Sequence, residues 1–235
     1  NAVLEAFRSG KTVDRLFVLD GCQDGPVKTI LREAKKQDTM VQYVKKERLD
    51  QLSETKNHQG VIAYCAACEY AEVSDILENA KKKGEAPFIV LLDGIEDPHN
   101  LGAIIRTANQ AGAHGVIIPK RRAVGLTATV ARTSAGAVNY TPVAKVTNLV
   151  TVMEDLKKEG MWFVCADMDG EEMYSLNLKG PIGLVIGNEG EGVSRLVKEH
   201  CDMVASIPMK GDIDSLNASV AMGVLAYEIV RQRRF

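Results

Sequence analysis

The sequence predicts an α/β protein with two domains, the larger of which is built on a parallel β-sheet. After residue 87, apolar segments of strand length alternate with helical segments, a pattern typical of a parallel sheet covered on both faces. Residues 1–66 contain a shorter α/β alternation of their own. Residues 67–86, which lie between these two parts, are polar and weakly periodic. We therefore expect a small domain over 1–66, a linker with a helical portion over 67–86, and the parallel-sheet domain over 87–235.

The N-terminal elements follow from local signals in the sequence. "NAVLEAFRSG" predicts a short helix that ends at Gly10, and "RLFVLDG" predicts a strand that ends at Gly21. "VKTILREAKKQD" has its apolar residues at helical spacing and predicts a second helix. "MVQYV" and "GVIAYC" have the composition of strands. Together these elements predict a compact α/β unit.

The C-terminal elements are longer and more apolar. The predicted strands are "FIVLLD", "GVIIP", "WFVCAD", "IGLVIG" and "MVASIP", and helices are expected near 100–112, 147–159, 191–199 and 215–231. The last helix is apolar nearly all round, so we expect it to be buried on several sides. It is too short for a comfortable membrane span and contains Asn217 and Glu228. We expect its burial to be completed by a second subunit, which predicts a homodimer through the C-terminal helix.

Composition limits the class of protein. A hydrophobic content of 46% and a charged content of 26% are ordinary for a globular chain and exclude a disordered or fibrous protein. The five cysteines are scattered, with a single C-x-x-C at Cys65 and Cys68, whereas a structural zinc site needs four ligands. We therefore expect no metal and reduced thiols in a cytoplasmic protein. The chain opens on Asn1 without a signal-peptide pattern, and we expect a few native residues to precede it.

Charge gives one candidate surface for nucleic acid. The net charge of −2 provides no global basic field, so any contact with RNA or DNA must use a local patch. One such patch is the basic loop, "PKRRAVGLTATVART", which contains Lys120, Arg121, Arg122 and Arg132. A solvated surface loop would have the same composition, and the sequence leaves both interpretations open.

Three predicted strands run into distinctive loops: "LLDGIEDPHNLG", "VIGNEGEG" and "SIPMKGDIDSLN". In open parallel sheets, ligands bind beyond the carboxyl ends of the strands, so these loops predict a binding site. In the first loop, Asn100 stands where a helix N-cap is expected, and Arg106 points away from the apolar stripe of the helix that follows. A solvated arginine would do the same. In the third loop, Ser215 and Asn217 could each cap the last helix.

The glycines of the second loop follow a G-x-x-G-x-G spacing at Gly187, Gly190 and Gly192. This differs from the dinucleotide and P-loop patterns, and a tight turn alone would explain it. Glu189 and Glu191 would repel a phosphate. They favour a ligand with hydroxyl donors or positive charge, and S-adenosylmethionine has both.

Taken together, "NLGAIIRTANQAGAHGVIIP", "GLVIGNEGEGVS" and "IPMKGDIDSLNASVAMGVLAYE" resemble the three motifs of the SpoU branch of the SPOUT methyltransferases. The resemblance covers about 90–233. The family moves a methyl group from S-adenosylmethionine to the 2′-oxygen of an RNA ribose. Residues 1–66 resemble its small RNA-binding domain, which is related to a ribosomal protein fold. With "KVTNL" after the basic loop, the chain is most similar to bacterial 23S rRNA (guanosine-2′-O-)-methyltransferases.

The resemblance implies a trefoil knot in the C-terminal domain, an RNA partner, and neither DNA nor membrane binding. It places the cofactor contacts at Gly187, Ile207 and Leu216, with Gly190 and Met209 nearby. It places the active-site positions at Asn100, Arg106, Glu189, Ser215 and Asn217.

The residues leave several alternatives open. Arg106 is the usual catalytic residue of the family, but arginine is effectively always protonated, so Glu189 is the chemically easier base. A tRNA 2′-O-methyltransferase and a non-catalytic RNA-binding protein would share this fold. A nucleotide-binding oxidoreductase is disfavoured by the glycine spacing.

Overall fold

The structure is a computed structural model that describes residues 2–22, 25–53, 57–212 and 215–234. The chain divides into two compact units. The first unit comprises residues 1–69 together with 125–128, and the second comprises 70–124 together with 129–235. A small mixed sheet in the first unit and a six-stranded parallel sheet in the second confirm the predicted fold class.

The first unit is built on a three-stranded sheet of order β2-β1-β3, in which β1 is parallel to β2 and antiparallel to β3. Its elements are α1 (Ala2–Arg8), β1 (Val13–Leu19), α2 (Gly25–Lys36), β2 (Met40–Val44), α3 (Lys46–Leu52) and β3 (Val61–Cys65). Phe7, Leu16 and Ile30 lie in its core. Helix α3 was not predicted, because its single buried apolar residue, Leu49, gives no helical periodicity.

The second unit is built on a six-stranded sheet of order β6-β5-β4-β8-β7-β9, with parallel pairing throughout. Its strands are β4 (Phe88–Asp93), β5 (Gly115–Pro119), β6 (Val143–Val146), β7 (Trp162–Glu172), β8 (Ile182–Gly187) and β9 (Met203–Ser206). The central strands β4 and β8 are almost wholly buried, because helices cover both faces of such a sheet. The trefoil knot implied by the resemblance stays a prediction.

The helices of the second unit are α4 (Val73–Lys83), α5 (Pro98–Gln110), α6 (Ala128–Thr133), α7 (Leu149–Lys158), α8 (Arg195–Glu199) and α9 (Ala218–Arg234), with a 3₁₀ turn at Ala137–Asn139. Helix α6 and edge strand β6 were not predicted, since both are too short to show a clear period. Helix α8 begins later than the expected 191–199, because the preceding residues form an ordered loop.

Helix α4 lies inside residues 67–86, for which the sequence predicts a linker with a helical portion. Its Ile76 is fully buried in the core of the second unit, and Ala80 is also buried. A Cβ at Gly115 would lie 2.5 Å from the Ile76 side chain, so the helix packs directly on strand β5. Residues 70–86 therefore belong to the second unit, and their polar composition reflects only the outer face of the helix.

The buried face of helix α9 is less apolar than its sequence suggests. Leu225 and Ile229 are buried, but so are Glu228 and Gln232, whose polar groups are hydrogen-bonded. Gln232 accepts from the backbone N–H of Leu178 at 2.8 Å. In the part of the chain that is described, no helix is long and apolar enough to cross a membrane.

Candidate active site

The three loops singled out in the sequence meet at one edge of the second unit's sheet. Strands β4, β8 and β9 run parallel in that sheet, so their carboxyl ends face the same side. Asp93 at the end of β4 pairs in register with Gly187 at the end of β8. The segment between β8 and α8, residues 188–194, is here called the glycine loop.

The glycine loop folds back over its own start. The backbone of Asn188 exchanges two hydrogen bonds with that of Gly192, of 3.0 and 2.8 Å. A Cβ at Gly187 would lie 2.0 Å from the carbonyl carbon of Gly192, so only glycine fits there. Gly192 has φ +68, in the left-handed region that favours glycine. Two of the three glycines in the G-x-x-G-x-G spacing, Gly187 and Gly192, are thus required by the way the loop folds.

Two side chains tie this loop to the turn after β4. Asn188 donates from Nδ2 to the carbonyl oxygen of Gly94 at 2.9 Å, and its Oδ1 accepts from the N–H of Gly190 at 2.8 Å. At the far end of the loop, the N–H of Ser194 donates to Oδ2 of Asp93 at 2.8 Å. The two ends of the glycine loop are therefore fixed to consecutive residues, its start to Gly94 and its end to Asp93.

A polar cluster joins the loop to α5 and α9. Asn100 donates from Nδ2 to Oε1 of Glu189 at 3.0 Å, and its Oδ1 accepts from Nδ2 of Asn217 at 3.0 Å. Asn217 also donates to Oε1 of Glu189, and the N–H of Ala218 reaches the same oxygen at 3.4 Å. This oxygen of Glu189 is thus occupied by donors from two helices.

The cluster corrects one expectation about helix ends. Asn100 is not the N-cap of α5. The cap is Asp97, whose Oδ1 accepts from the N–H of His99 at 2.9 Å, and Pro98 opens the helix. Asn100 lies one turn further in, 8% exposed, where its amide is free to bind Glu189. Asn217 does cap its helix, because its Oδ1 accepts from the N–H of Ser219 at 3.0 Å.

A cavity of about 350 Å³ opens beside this cluster. All five residues expected to contact the cofactor line it, namely Gly187, Gly190, Ile207, Met209 and Leu216. Glu189 and Ser215 line it as well, whereas Asn100, Arg106 and Asn217 do not. The volume is within the range of small-ligand sites.

One wall of this cavity was not predicted from the sequence. Asp167 and Met168 form it at the end of the apolar part of β7. The strand-end rule that singled out the other loops applies equally to "WFVCAD" and could have found it. Burial raises the pKa of the Asp167 carboxyl, but a hydrogen bond from Lys198 and one from the N–H of Asp169 bring it below its ordinary value. Asp167 is therefore ionised at neutral pH, 2.8 Å from its Lys198 counterion.

The cavity is acidic on balance. Asp167, Glu189 and Glu191 all line it. Glu191 pairs with Arg122 of the basic loop at 2.8 Å, but both side chains are exposed to solvent, which weakens the pair. Among the described residues, Glu189 has amide and N–H partners but no cation. Apolar walls with uncompensated negative charge fit a ligand that has a nucleoside and a positively charged centre, as S-adenosylmethionine does.

Arg106 stands apart from the cluster. It lies on the exposed face of α5, as the sequence predicts, and has no hydrogen bond or ion pair with any residue in the described ranges. Its guanidinium is therefore available to an outside partner. Its fixed fork of donors suits a phosphate or a developing oxyanion.

Comparison with known protein families identifies both parts of the chain. The family described as "SpoU rRNA Methylase family" matches residues 87–227. The family described as "RNA 2'-O ribose methyltransferase substrate binding" matches residues 1–71.

Individual relatives match most of the chain. YacO of Bacillus subtilis, assigned by its name to the TrmH family of tRNA/rRNA methyltransferases, is 49% identical over 235 residues, which cover 99% of this chain and 94% of YacO. An AdoMet-bound rRNA methyltransferase from Sinorhizobium meliloti is 25% identical with a TM-score of 0.63, over 97% of this chain and 84% of that one. The A. aeolicus TrmH/SpoU tRNA modifying enzyme is 28% identical with a TM-score of 0.58, over 68% of this chain and 84% of that one.

Proposed function

The chain belongs to the SpoU rRNA methylase family, and from this premise we propose that it methylates the ribose 2′-oxygen of a guanosine in 23S rRNA. It is an S-adenosylmethionine-dependent RNA 2′-O-ribose methyltransferase and has the substrate-binding domain of such enzymes. A tRNA or rRNA is therefore its substrate. Of these two substrates we propose rRNA.

The observation that supports rRNA is the length over which the relatives align. The S. meliloti rRNA methyltransferase aligns over 97% of this chain, and thus over both units. The A. aeolicus tRNA modifying enzyme aligns over only 68% of this chain, although the alignment covers 84% of the A. aeolicus enzyme. A chain with an additional unit of the size of residues 1–69 is thus more similar in organisation to the rRNA enzyme. We assign RNA binding to this first unit and catalysis to residues 70–235.

The chemistry requires a ribose hydroxyl to be aligned and deprotonated. S-adenosylmethionine supplies an activated methyl group on its sulfonium, and Gly187, Ile207 and Leu216 would hold it in the cavity. We assign Glu189 as the acceptor of the hydroxyl proton, because one of its oxygens is fixed by the polar cluster and the other has no partner among the described residues.

The remaining site residues then position Glu189 and the substrate, and stabilise the charge that develops during methyl transfer. Asn100 and Asn217 orient Glu189 through the hydrogen bonds described above. Arg106 stays charged, so we assign it to the phosphate beside the target ribose and to the charge that develops on the 2′-oxygen. Ser215, on the cavity wall, would contact the substrate or the cofactor. Basic residues of the loop that contains Lys120 and Arg121 would bind the RNA backbone.

We also propose that the enzyme is a homodimer through α9. Val220 and Tyr227, two turns apart on this helix, are 49% and 50% exposed. Val224 lies between them and is half-buried. An apolar stripe of this kind on a helix next to the site is typical of a surface that a second subunit covers.

A substrate comparison tests the rRNA assignment. Purified enzyme with tritiated S-adenosylmethionine should label deproteinised 23S rRNA and leave a total tRNA pool unlabelled, with Arg106→Ala as the inactive control. Mapping of the labelled nucleotide by primer extension should place the methyl group on a guanosine. Labelling of tRNA alone would refute the rRNA assignment and leave the reaction class intact.

A further inference from the structure

We propose that Asp93 is a positioning residue for the cofactor: together with Asn188 it clamps the glycine loop in the shape that the cavity requires. The inference rests on S-adenosylmethionine as the cofactor and is independent of which RNA is methylated. Asp93 does not line the cavity. It therefore acts through the loop and not by contact with the reacting atoms.

The clamp is formed at the two ends of the loop by neighbouring residues of one turn. Asn188, the first residue of the loop, donates to the Gly94 carbonyl, and Ser194, the last, donates to the Asp93 carboxylate. These contacts span 94 and 101 positions of sequence. Gly94 has φ +85, so its carbonyl is presented by a conformation that favours glycine. Asp93 and Gly94 thus set the distance between the two ends of the glycine loop.

The loop needs such a clamp because its other contacts, the Asn188–Gly192 backbone pair and the bonds of Glu189, hold its middle and leave the end at Ser194 to Asp93. Of its seven residues, only Val193 is buried, and the stretch from Glu189 to Gly192 is exposed. Gly190 and Gly192 increase the conformational freedom that must be lost to form one shape. Four consecutive residues of this exposed stretch line the cavity, so the loop must be ordered wherever the cofactor is bound.

Asp93 provides the stronger of the two end contacts. A hydrogen bond from an N–H to a carboxylate is roughly twice as strong as one between neutral groups. The carboxylate accepts this bond from Ser194, the N-cap residue of α8, and so also fixes the start of that helix. Loss of this contact would free the C-terminal end of the loop while the cavity residues themselves stay unchanged.

Calorimetric titration of S-adenosylmethionine into Asp93→Ala tests the proposal. We expect the dissociation constant to rise by a factor on the order of 10 or more, the scale of one charge-assisted hydrogen bond. Asp93→Asn keeps an oxygen acceptor and should recover part of the affinity. Because its shape is that of the wild-type residue, it also serves if the alanine variant does not fold.

The chain provides a matched control in Asp202. Its Oδ2 accepts from the N–H of Phe163 at 2.8 Å, the same kind of contact at the same distance, but at the opposite end of the sheet. Its Oδ1 also pairs with Lys157 at 3.2 Å, so its removal costs at least as much stability. Asp202→Ala should lose similar thermal stability and keep its affinity for the cofactor within about twofold. If Asp93→Ala binds as tightly as Asp202→Ala, the proposal is wrong.

Steady-state kinetics give a second readout that a merely structural role would not move. For Asp93→Asn we expect a raised KM for S-adenosylmethionine, an unchanged KM for RNA, and a kcat within about threefold of wild type at saturating cofactor. A loss of kcat with unchanged cofactor KM would overturn the proposal. A wild-type protein that fails to bind the cofactor would instead contradict the methyltransferase assignment.

Discussion

Asn217 uses both ends of its amide for different tasks. Its Oδ1 accepts the N–H groups of Ser219 and Val220 and thereby caps α9, while its Nδ2 donates to Asn100 and Glu189. The start of the last helix and the polar cluster are thus fixed by one side chain. The two roles can be separated by a substitution that keeps the oxygen and removes the donor.

Asn217→Asp should retain the cap and lose methyl transfer. Aspartate caps helices as well as asparagine does, but it places a second carboxylate against Glu189. We expect the single-turnover rate to fall by a factor on the order of 10², while the protein stays folded with a melting temperature lowered only by the repulsion between the two carboxylates. Asn148→Asp makes the same exchange at the cap of α7 and should keep full activity. Equal rates for both variants would contradict the proposed role of Asn217 in methyl transfer.

Arg106→Ala should separate catalysis from stability. The side chain is exposed and has no partner among the described residues, so we expect a stability change within about 0.5 kcal/mol and little change in cofactor affinity. Methyl transfer should fall by a factor on the order of 10² or more. Arg106→Lys should rescue poorly, because a point charge cannot replace the bidentate fork.

Single-turnover rates at saturating RNA and cofactor provide the measurement for Arg106. Lys158→Ala removes another exposed cation, from α7, and should turn over at the wild-type rate. Wild-type turnover by Arg106→Ala would show that Arg106 is an ordinary surface arginine.

At the scale of single elements, His114 fixes the start of β4 against the end of the α5–β5 connection. It is fully buried, its Nδ1 accepts from the N–H of Phe88 at 3.0 Å, and its Nε2 lies 3.1 Å from Glu85. Burial lowers the pKa of His114 below its ordinary value, although the hydrogen bond to Glu85 opposes the change. Lys83 and Arg233 nearby also lower it. The histidine is therefore neutral in the folded protein.

This pKa predicts a loss of stability in mild acid. A folded-state pKa below the unfolded value of 6.5 makes the unfolded chain bind more protons, so the free energy of unfolding should decrease as pH falls below about 6.5. The contribution is at most about 1.4 kcal/mol per pH unit. His114→Asn keeps an acceptor for Phe88 and should reduce this slope. Urea unfolding at about pH 7.5 and about pH 5.5 measures it.

His99, which is exposed, supplies the control for the pH experiment. His99→Asn should unfold with the same pH dependence as wild type. The expectation fails if His114→Asn also keeps the wild-type slope.

Elements that could be predicted from sequence are those with strong internal periodicity. The central strands β4, β5 and β8 have the bounds expected from their apolar runs, since burial on both faces requires such runs. The short elements α3, α6 and β6 could not be predicted, because contacts distant in sequence stabilise them. Helix α4 shows the same limit, as its burial depends on the missing side chain of Gly115.

The candidate site, like the fold, was predicted from the sequence only in part. Strand ends and loop composition pointed to the cavity, and the resemblance supplied the roles of its residues. The Asp93 contact joins segments that are 101 positions apart, and local patterns do not contain such distances. The Asp167 wall and the cap at Asp97 were missed although local signals were present, namely the strand end in "WFVCAD" and the Asp before Pro98. Asn100 is a further example. The sequence predicts it as the N-cap of α5, whereas in the structure its amide is hydrogen-bonded to Glu189.

At the scale of the whole molecule, the dimer can be tested on the exposed stripe of α9. Tyr227→Asp places a charge in the proposed interface without disturbing the core, because the side chain is half exposed. Sedimentation should then show a monomer where wild type is a dimer, and methyl transfer should decrease. Tyr140→Asp changes a tyrosine that is 80% exposed elsewhere in the second unit and should leave the dimer intact. A monomeric wild type at micromolar concentration would exclude the interface.

The polar cluster also has a consequence for the time at which the enzyme becomes active. Asn100 and Asn217 are 117 positions apart, and the last helix starts only after Asn217. At translation rates of about 5–20 residues per second, roughly 6–23 s separate the synthesis of these two residues. A nascent chain can therefore complete the first unit and most of the sheet while the cluster still lacks its final member. The polar cluster therefore cannot form before synthesis has passed Asn217.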